Sequence, residues 1–302
     1  MKNNIAEEIT NRILADLEKG VMPWEKPWKA GWGLPLPVNA STGKHYRGIN
    51  VLVLWDEAVK RGFSSPSWVT YNQAKALKGN VRKGEKGCGV VFYKRLAKTK
   101  SLNLSDEVMV EQQTFWILRT YTVFNLDQVE GLDHLKVKPE TIEPFSAIEE
   151  AEGLLVDSGA EIHHAAQDRA FYDRKGDCIT LPLKESFKTP EGYYGTALHE
   201  LTHWTGHETR LNRQFGKWFG DQAYAFEELV AEMGAAFLSV SCGIPYVTRH
   251  SDYIGDWIQV LKDHKRAIFT AASKAQSAMD FVLKRTQEDS DATETTPDKT
   301  AA

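Results

Sequence analysis

His199, Glu200 and His203 stand at the spacing of an HExxH motif, inside YYGTALHELTHWTG. On a helix, positions i and i+4 share one face, so two imidazoles so spaced reach one ion. The glutamate beside the first histidine then reaches a water polarised by that ion. It takes the water's proton and later delivers it to a leaving amine. Leu198 and Leu201 put apolar residues around the motif, and helix formers flank it. This is the chemistry of a metal-dependent hydrolase of the zincin type, with His199 and His203 as ligands and Glu200 as general base. Zn2+ suits the nitrogen donors, and Mn2+ or Co2+ are alternatives.

A catalytic zinc needs a third protein ligand and an open fourth position. In the metzincin pattern a glycine and a third histidine follow the second. Gly206 fits that glycine, but Thr209 stands where the histidine belongs, and His207 lies just past the helix-ending glycine. The other candidate is Glu228 in YAFEELVAE, a glutamate on a second packed helix, which is the gluzincin arrangement; its neighbour Glu227 is the rival. Glu228 and Glu232 are four apart and share a face. Glu232 is therefore placed to accept the other ring N–H of a ligand histidine.

The elements that must position these groups are legible around them. Thr189 is a candidate N-cap, with Pro190 at the first helical position and Gly206 at the stop. AYAFEELVAEMGAAFLSVSCG reads as a second helix closed by Gly243. The segment from Asp252 reads as helical to about Arg285. CITLP, just before the motif helix, reads as a short strand, either a peptide-binding edge or ordinary core. Tyr193 and Tyr194 lie one to two turns before His199, open to core packing or to an oxyanion contact. SAIEEAEGLLVDSG reads as a helix, and AFYDRKGDCITLP as two short strands around the turn 174–177.

The first part of the chain is different. Residues 1–130 hold 19 Lys and Arg against 13 Asp and Glu, net +6, while the remainder is net −10. Residues 58–100 contain eleven basic residues and one acid, Glu85, and six of nine tryptophans fall before 131. Interleaved cations and aromatics suit single-stranded nucleic acid, where cations track phosphates and ring faces stack bases. The candidate contacts are Trp24, Trp28, Tyr46, Arg47, Lys75, Arg82, Lys83, Lys86, Phe92, Lys94, Arg95, Arg119 and Tyr121. Trp55 and Trp116 sit in periodic patterns and read as buried. No helix-turn-helix, zinc-finger, RRM or KH signature appears, so sequence-specific reading is not implied.

Residues 5–19 carry apolar residues at helical spacing, stopped by Gly20. YRGINVLVLWDEAVKRG reads as a turn and helix, and WVTYNQAKALKG as a helix ending at Gly79. GVVFYKRL and QTFWILRTYTVFNL read as strands, with AKTKSLNLSDEVMVEQ as a long loop between them. Helices and strands mix without βαβ alternation, so the fold class is α+β in two domains: 1–130, a linker 131–145, 146–285, and a polar tail 286–302 that reads as disordered. Cys88, Cys178 and Cys242 show no paired spacing, which argues against a disulfide framework. No apolar run approaches a membrane span and no signal peptide appears, so the expected location is cytoplasmic.

PWEKPW, NASTGKHYRGIN, WVTYNQAKALKGNVRKGEKG and YTVFNLDQVEGL resemble the single-strand-binding domain of the ArdC-type antirestriction proteins carried by plasmids and phage. That domain type is also found fused to plasmid primases. DCITLP, YYGTALHELTHWTGH and YAFEELVAEMGAAFL resemble the same family's zincin domain. The resemblance covers roughly residues 5–285. It implies single-stranded-DNA binding, metal ligands at His199, His203 and a glutamate of the EELVAE helix, and protection of incoming DNA from host restriction. Two other readings stay open: a DNA-shielding protein whose metal domain is structural, and an accessory DNA-processing role. A protein substrate of the peptidase domain is a further expected partner.

Overall fold

The computed structural model describes residues 5–25, 35–104, 107–136, 144–215, 222–246 and 253–284, with backbone only for 93–104, 107–117 and 144–147. Helix α1 (Ile5–Leu17) buries Ile9, Ile13, Leu14 and Leu17 along one stripe. After the short strand β1 (Val38–Asn39) comes α2 (Ile49–Arg61), closed by Gly62 in the left-handed region (φ 67°). The segment expected as one helix ending at Gly79 splits. Strand β2 (Ser67–Thr70) comes first, then α3 (Tyr71–Ala76). The β-branched Val69 and Thr70 suit the ladder, and Thr70 forms a capping box with Gln73 that switches the backbone to helix.

Strand β3 (Asn80–Val81) is followed by a hairpin of β4 (Cys88–Leu104) and β5 (Glu107–Asn125). Its ladder runs unbroken from Cys88↔Val123 to Leu104↔Glu107. The expected loop over 97–112 is therefore mostly strand; Leu102 and Leu104, with Val108 and Val110, keep the period-2 alternation that marks it. The sheet order is β1-β2-β5-β4, and β3 pairs separately with β6 (Val129–Glu130). Leu132, assigned to the linker on sequence, is fully buried with Val69, Ala74, Leu126 and Val129.

The second half opens with α4 (Pro144–Ser158), then β7 (Glu161–Ala165), β8 (Phe171–Asp173) and β9 (Cys178–Pro182). CITLP is β9, and it is the central strand: β7 runs parallel on one side and β8 antiparallel on the other. The reading of this strand as a peptide-binding edge is thus corrected, because its backbone is already paired on both flanks along Cys178–Thr180. Helices α5 (Pro190–Trp204) and α6 (Gln222–Ser241) follow. The long helix expected to about Arg285 is two helices, α7 (Ile254–Asp263) and α8 (Ala267–Val282). At the break, the Thr10 hydroxyl of α1 donates to the Lys265 carbonyl at 2.6 Å.

That contact is one of several between the halves. A single hydrophobic cluster runs from Ala6 to Val282. Trp24 meets Trp257 edge-on at 5.6 Å, and Trp55 of α2 meets Phe237 of α6 at 6.0 Å. The Gly48 amide donates to Gln276 Oε1 at 3.1 Å, and Arg47 pairs with Asp280. Among the described residues no helix is long and apolar enough to cross a membrane. Trp116 lies where only backbone is described, and the tail 286–302 lies outside the described residues.

Candidate metal centre

Helix α5 starts as its sequence dictates. Thr189 accepts from the Gly192 amide at 3.2 Å, and Pro190 takes the first turn. From Tyr193 to Trp204 every residue is buried. Helix α6 packs across it at close range. A Cβ added to Gly234 would lie 2.4 Å from Thr202 Cγ2, so only glycine permits this approach. The approach sets Glu228 against the motif histidines.

Glu228 Oε2 lies 3.3 Å from His199 Nε2, and Oε1 lies 3.5 Å from His203 Nε2. The two Nε2 atoms are 3.2 Å apart. One ligand atom from each of the three residues falls within 4.8 Å of the others. All three are buried, at 2, 8 and 5% exposure for His199, His203 and Glu228, as is Glu200. Two imidazole nitrogens and one carboxylate oxygen, converging from two rigid helices, fit a divalent ion with a position left open for water. Burial disfavours charge on His203, but Glu228 and Glu227 outweigh it and push the imidazole up to about 10. Burial likewise opposes charge on Glu228, and the two histidines overcome it and hold its carboxyl far below the usual range.

The far sides of the two imidazoles also face carboxylates. His203 Nδ1 lies 3.3 Å from Glu227 Oε1, and His199 Nδ1 lies 3.6 Å from Glu232 Oε1. Glu227, the sequence rival for third ligand, therefore points at the other nitrogen of His203. Tyr246 donates to Glu232 Oε2 at 2.7 Å, and Arg213 bonds Glu227. Neither Tyr246 nor Arg213 carries a spacing signal. His207 lies outside the ligand group and bonds Thr209 Oγ1 at 2.8 Å. Tyr193 and Tyr194 direct their hydroxyls elsewhere, to His164 Nε2 and to Glu152, both at 2.9 Å.

The thirteen nucleic-acid candidates divide. Trp24 is fully buried against Trp257, and Tyr46 is buried with its hydroxyl beside Asn39, so neither offers a ring face to a base. The composition signal placed both at the surface; their rings are core. Arg47 is tied to Asp280 of α8. Phe92 and Tyr121 are half-buried and packed edge-on to each other at 5.4 Å. Lys75, Arg82, Lys83, Lys86 and Arg119 are exposed. Trp28 lies outside the described residues, and only the backbone of Lys94 and Arg95 is described, within β4. Lys78 and Tyr71, outside the sequence candidates, are exposed on the same stretch, Tyr71 at 48% at the start of α3.

The chain matches two family models. One is the N-terminal domain of the anti-restriction factor ArdC, over residues 3–124, and the other a zincin-like metallopeptidase, over 149–274. The metal-free crystal structure of the antirestriction ArdC protein from plasmid R388 superposes with a TM-score of 0.78 at 37% identity, covering 95% of this chain and 98% of that one. Its Mn(II)-bound structure gives 0.75 at 38%, covering 93% and 97%. A DNA primase TraC of Escherichia coli is 39% identical over 94% of this chain, which spans only 27% of the primase's length. The uncharacterized protein y4eC of Sinorhizobium fredii is 36% identical, covering 92% of this chain and 91% of its own. An N-terminal ArdC domain, a zincin-like domain and near end-to-end likeness to ArdC itself place this chain in the ArdC antirestriction family.

Proposed function

We propose that this protein binds single-stranded DNA through its N-terminal half, carries a zinc-type peptidase site in its C-terminal half, and protects plasmid or phage DNA entering a cell, as in conjugation, from host restriction in the cytoplasm. The observation that carries the peptidase reading is the buried convergence of His199, His203 and Glu228 within 4.8 Å. A divalent ion held by these residues would supply Lewis acidity and make a water acidic near neutral pH. Glu200 takes the proton from the attacking water and returns it to the leaving amine, so one carboxylate serves both halves of amide hydrolysis.

The DNA reading draws on a run of exposed cations from α3 through β3 to the turn before β4. Glu85, the acid in that run, is engaged by Arg61 at 2.9 Å and Arg82 at 2.8 Å. Lys75, Lys78, Lys83 and Lys86 remain turned to solvent. Tyr71 adds an exposed ring, with Lys75 Nζ 5.8 Å from its centre. Cations beside a free aromatic face suit phosphates and stacked bases irrespective of sequence.

The test pairs two measurements on the full chain. Binding to labelled single- and double-stranded DNA across a salt series should show a single-strand preference that weakens as salt rises. Glu200→Gln should keep zinc content and DNA affinity while lowering peptide-bond cleavage by about 10²–10⁴-fold. Cleavage indistinguishable between parent and variant would refute the peptidase role and favour a structural metal domain that shields DNA. Absence of DNA binding at low salt would refute the N-terminal assignment.

A further inference from the structure

We propose that Arg213 is a positioning residue for the metal centre, acting on His203 through Glu227; this rests on the metal reading above. Arg213 lies in the segment after α5 and is only 3% exposed. Its guanidinium grips Glu227 in a fork, with Nη2 to Oε1 at 2.8 Å and Nε to Oε2 at 3.1 Å. Nη1 donates to Thr205 Oγ1 at 2.7 Å and Nη2 to the Thr202 carbonyl at 2.5 Å. One side chain therefore binds both the carboxylate on α6 and the C-terminal turn of α5, where carbonyls lack helical partners.

The geometry gives this clamp a task beyond packing. A buried carboxylate needs a countercharge, and the planar fork fixes both oxygens where a lysine would fix one. With its oxygens so held, Glu227 presents Oε1 to His203 Nδ1 at 3.3 Å. A proton kept on Nδ1 leaves the Nε2 lone pair for the ion and fixes the ring's orientation. The clamp also explains why Glu228, and not the adjacent Glu227, faces both Nε2 atoms: Glu227 is held on the far side of His203. Gly206 lets the chain pass, since a Cβ there would lie 2.9 Å from Arg213 Nη2 and 2.7 Å from the Phe215 ring.

The experiment measures zinc affinity of the full chain by chelator competition, with the melting temperature of the metal-free form alongside. Arg213→Met and Glu227→Gln should each weaken zinc binding by about 10–100-fold, the range typical of lost partners of ligand histidines. Arg213→Lys should fall between parent and Met. The decisive variant carries both changes. It buries no unpaired charge, so it is the one expected to fold even where Arg213→Met does not. If Arg213 acts through Glu227, the double variant binds zinc as Glu227→Gln alone does. Losses that multiply in the double variant, or an Arg213→Met chain of normal zinc affinity and lowered melting temperature, would make Arg213 merely structural and overturn the proposal. A parent chain that takes no zinc would overturn the metal reading and this inference with it.

Discussion

At the scale of single residues, the metal centre is held together before any ion arrives by charge pairing. His203, pushed up to about 10, carries its proton at neutral pH beside Glu228 and Glu227. Its folded value lies above the ordinary 6.5, so its contribution to stability is full below that pH and is lost as pH rises toward about 10. Ligation needs the neutral ring. Zinc must displace this proton, and apparent zinc affinity should rise about tenfold per pH unit between roughly 6.5 and 9. Chelator-competition titrations at three pH values check this, and a flat profile would contradict the pairing. The convergence of His199 and His203 was legible from helical spacing, and Glu228 from the gluzincin pattern on a second helix. Glu227 was legible only as a rival ligand, because its partner Arg213 stands 14 residues before it, outside both helices, at a separation that no periodicity encodes. Composition likewise could not tell the core rings of Trp24 and Tyr46 from the surface ring of Tyr71.

At the scale of elements, the spacing of α5 and α6 decides whether the ligand set exists. Glycine inside a helix ordinarily weakens it by about 0.5–1 kcal/mol relative to alanine. Gly234 inverts that sign, because Thr202 fills the space an alanine Cβ would take. Gly234→Ala should therefore lower the melting temperature and weaken zinc binding together. Adding Thr202→Ala, which removes both close atoms, should restore both; melting curves with and without zinc test the pair. Most helices were readable from caps and apolar spacing. The break between α7 and α8 was not, since no glycine or proline marks it and its carbonyl is taken by Thr10 from the other end of the chain. Strand β7 was also missed, because EIHHA is short and polar.

At the scale of the molecule, the charge asymmetry suggested separate halves, yet the cluster from Ala6 to Val282 joins them. Trp55 against Phe237 couples α2, which packs on β4, to the helix that carries Glu228. Calorimetry should accordingly show one cooperative unfolding transition, with matching calorimetric and van't Hoff enthalpies. Two resolved transitions would contradict the shared core. Arg47 belongs to this junction through Asp280. Arg47→Ala should cost about 1 kcal/mol of stability and leave the salt dependence of DNA binding unchanged. Lys83→Ala should leave stability alone and shallow the salt slope by about 0.7, as one lost phosphate contact on a single strand would.

One small contact bears on how the molecule behaves in a crowd. Strand β4 is the outermost strand of its sheet. Asn50 of α2 donates to the Val91 carbonyl at 2.7 Å and accepts from the Val91 amide at 2.9 Å. A single amide side chain thus imitates one residue of a neighbouring strand. Where a bare edge would invite another copy to add on, the position is already taken. The same side chain that docks a helix thus occupies the outward backbone groups of one position on this edge, and Asn50→Ala, which frees them, is expected to increase concentration-dependent association in light scattering.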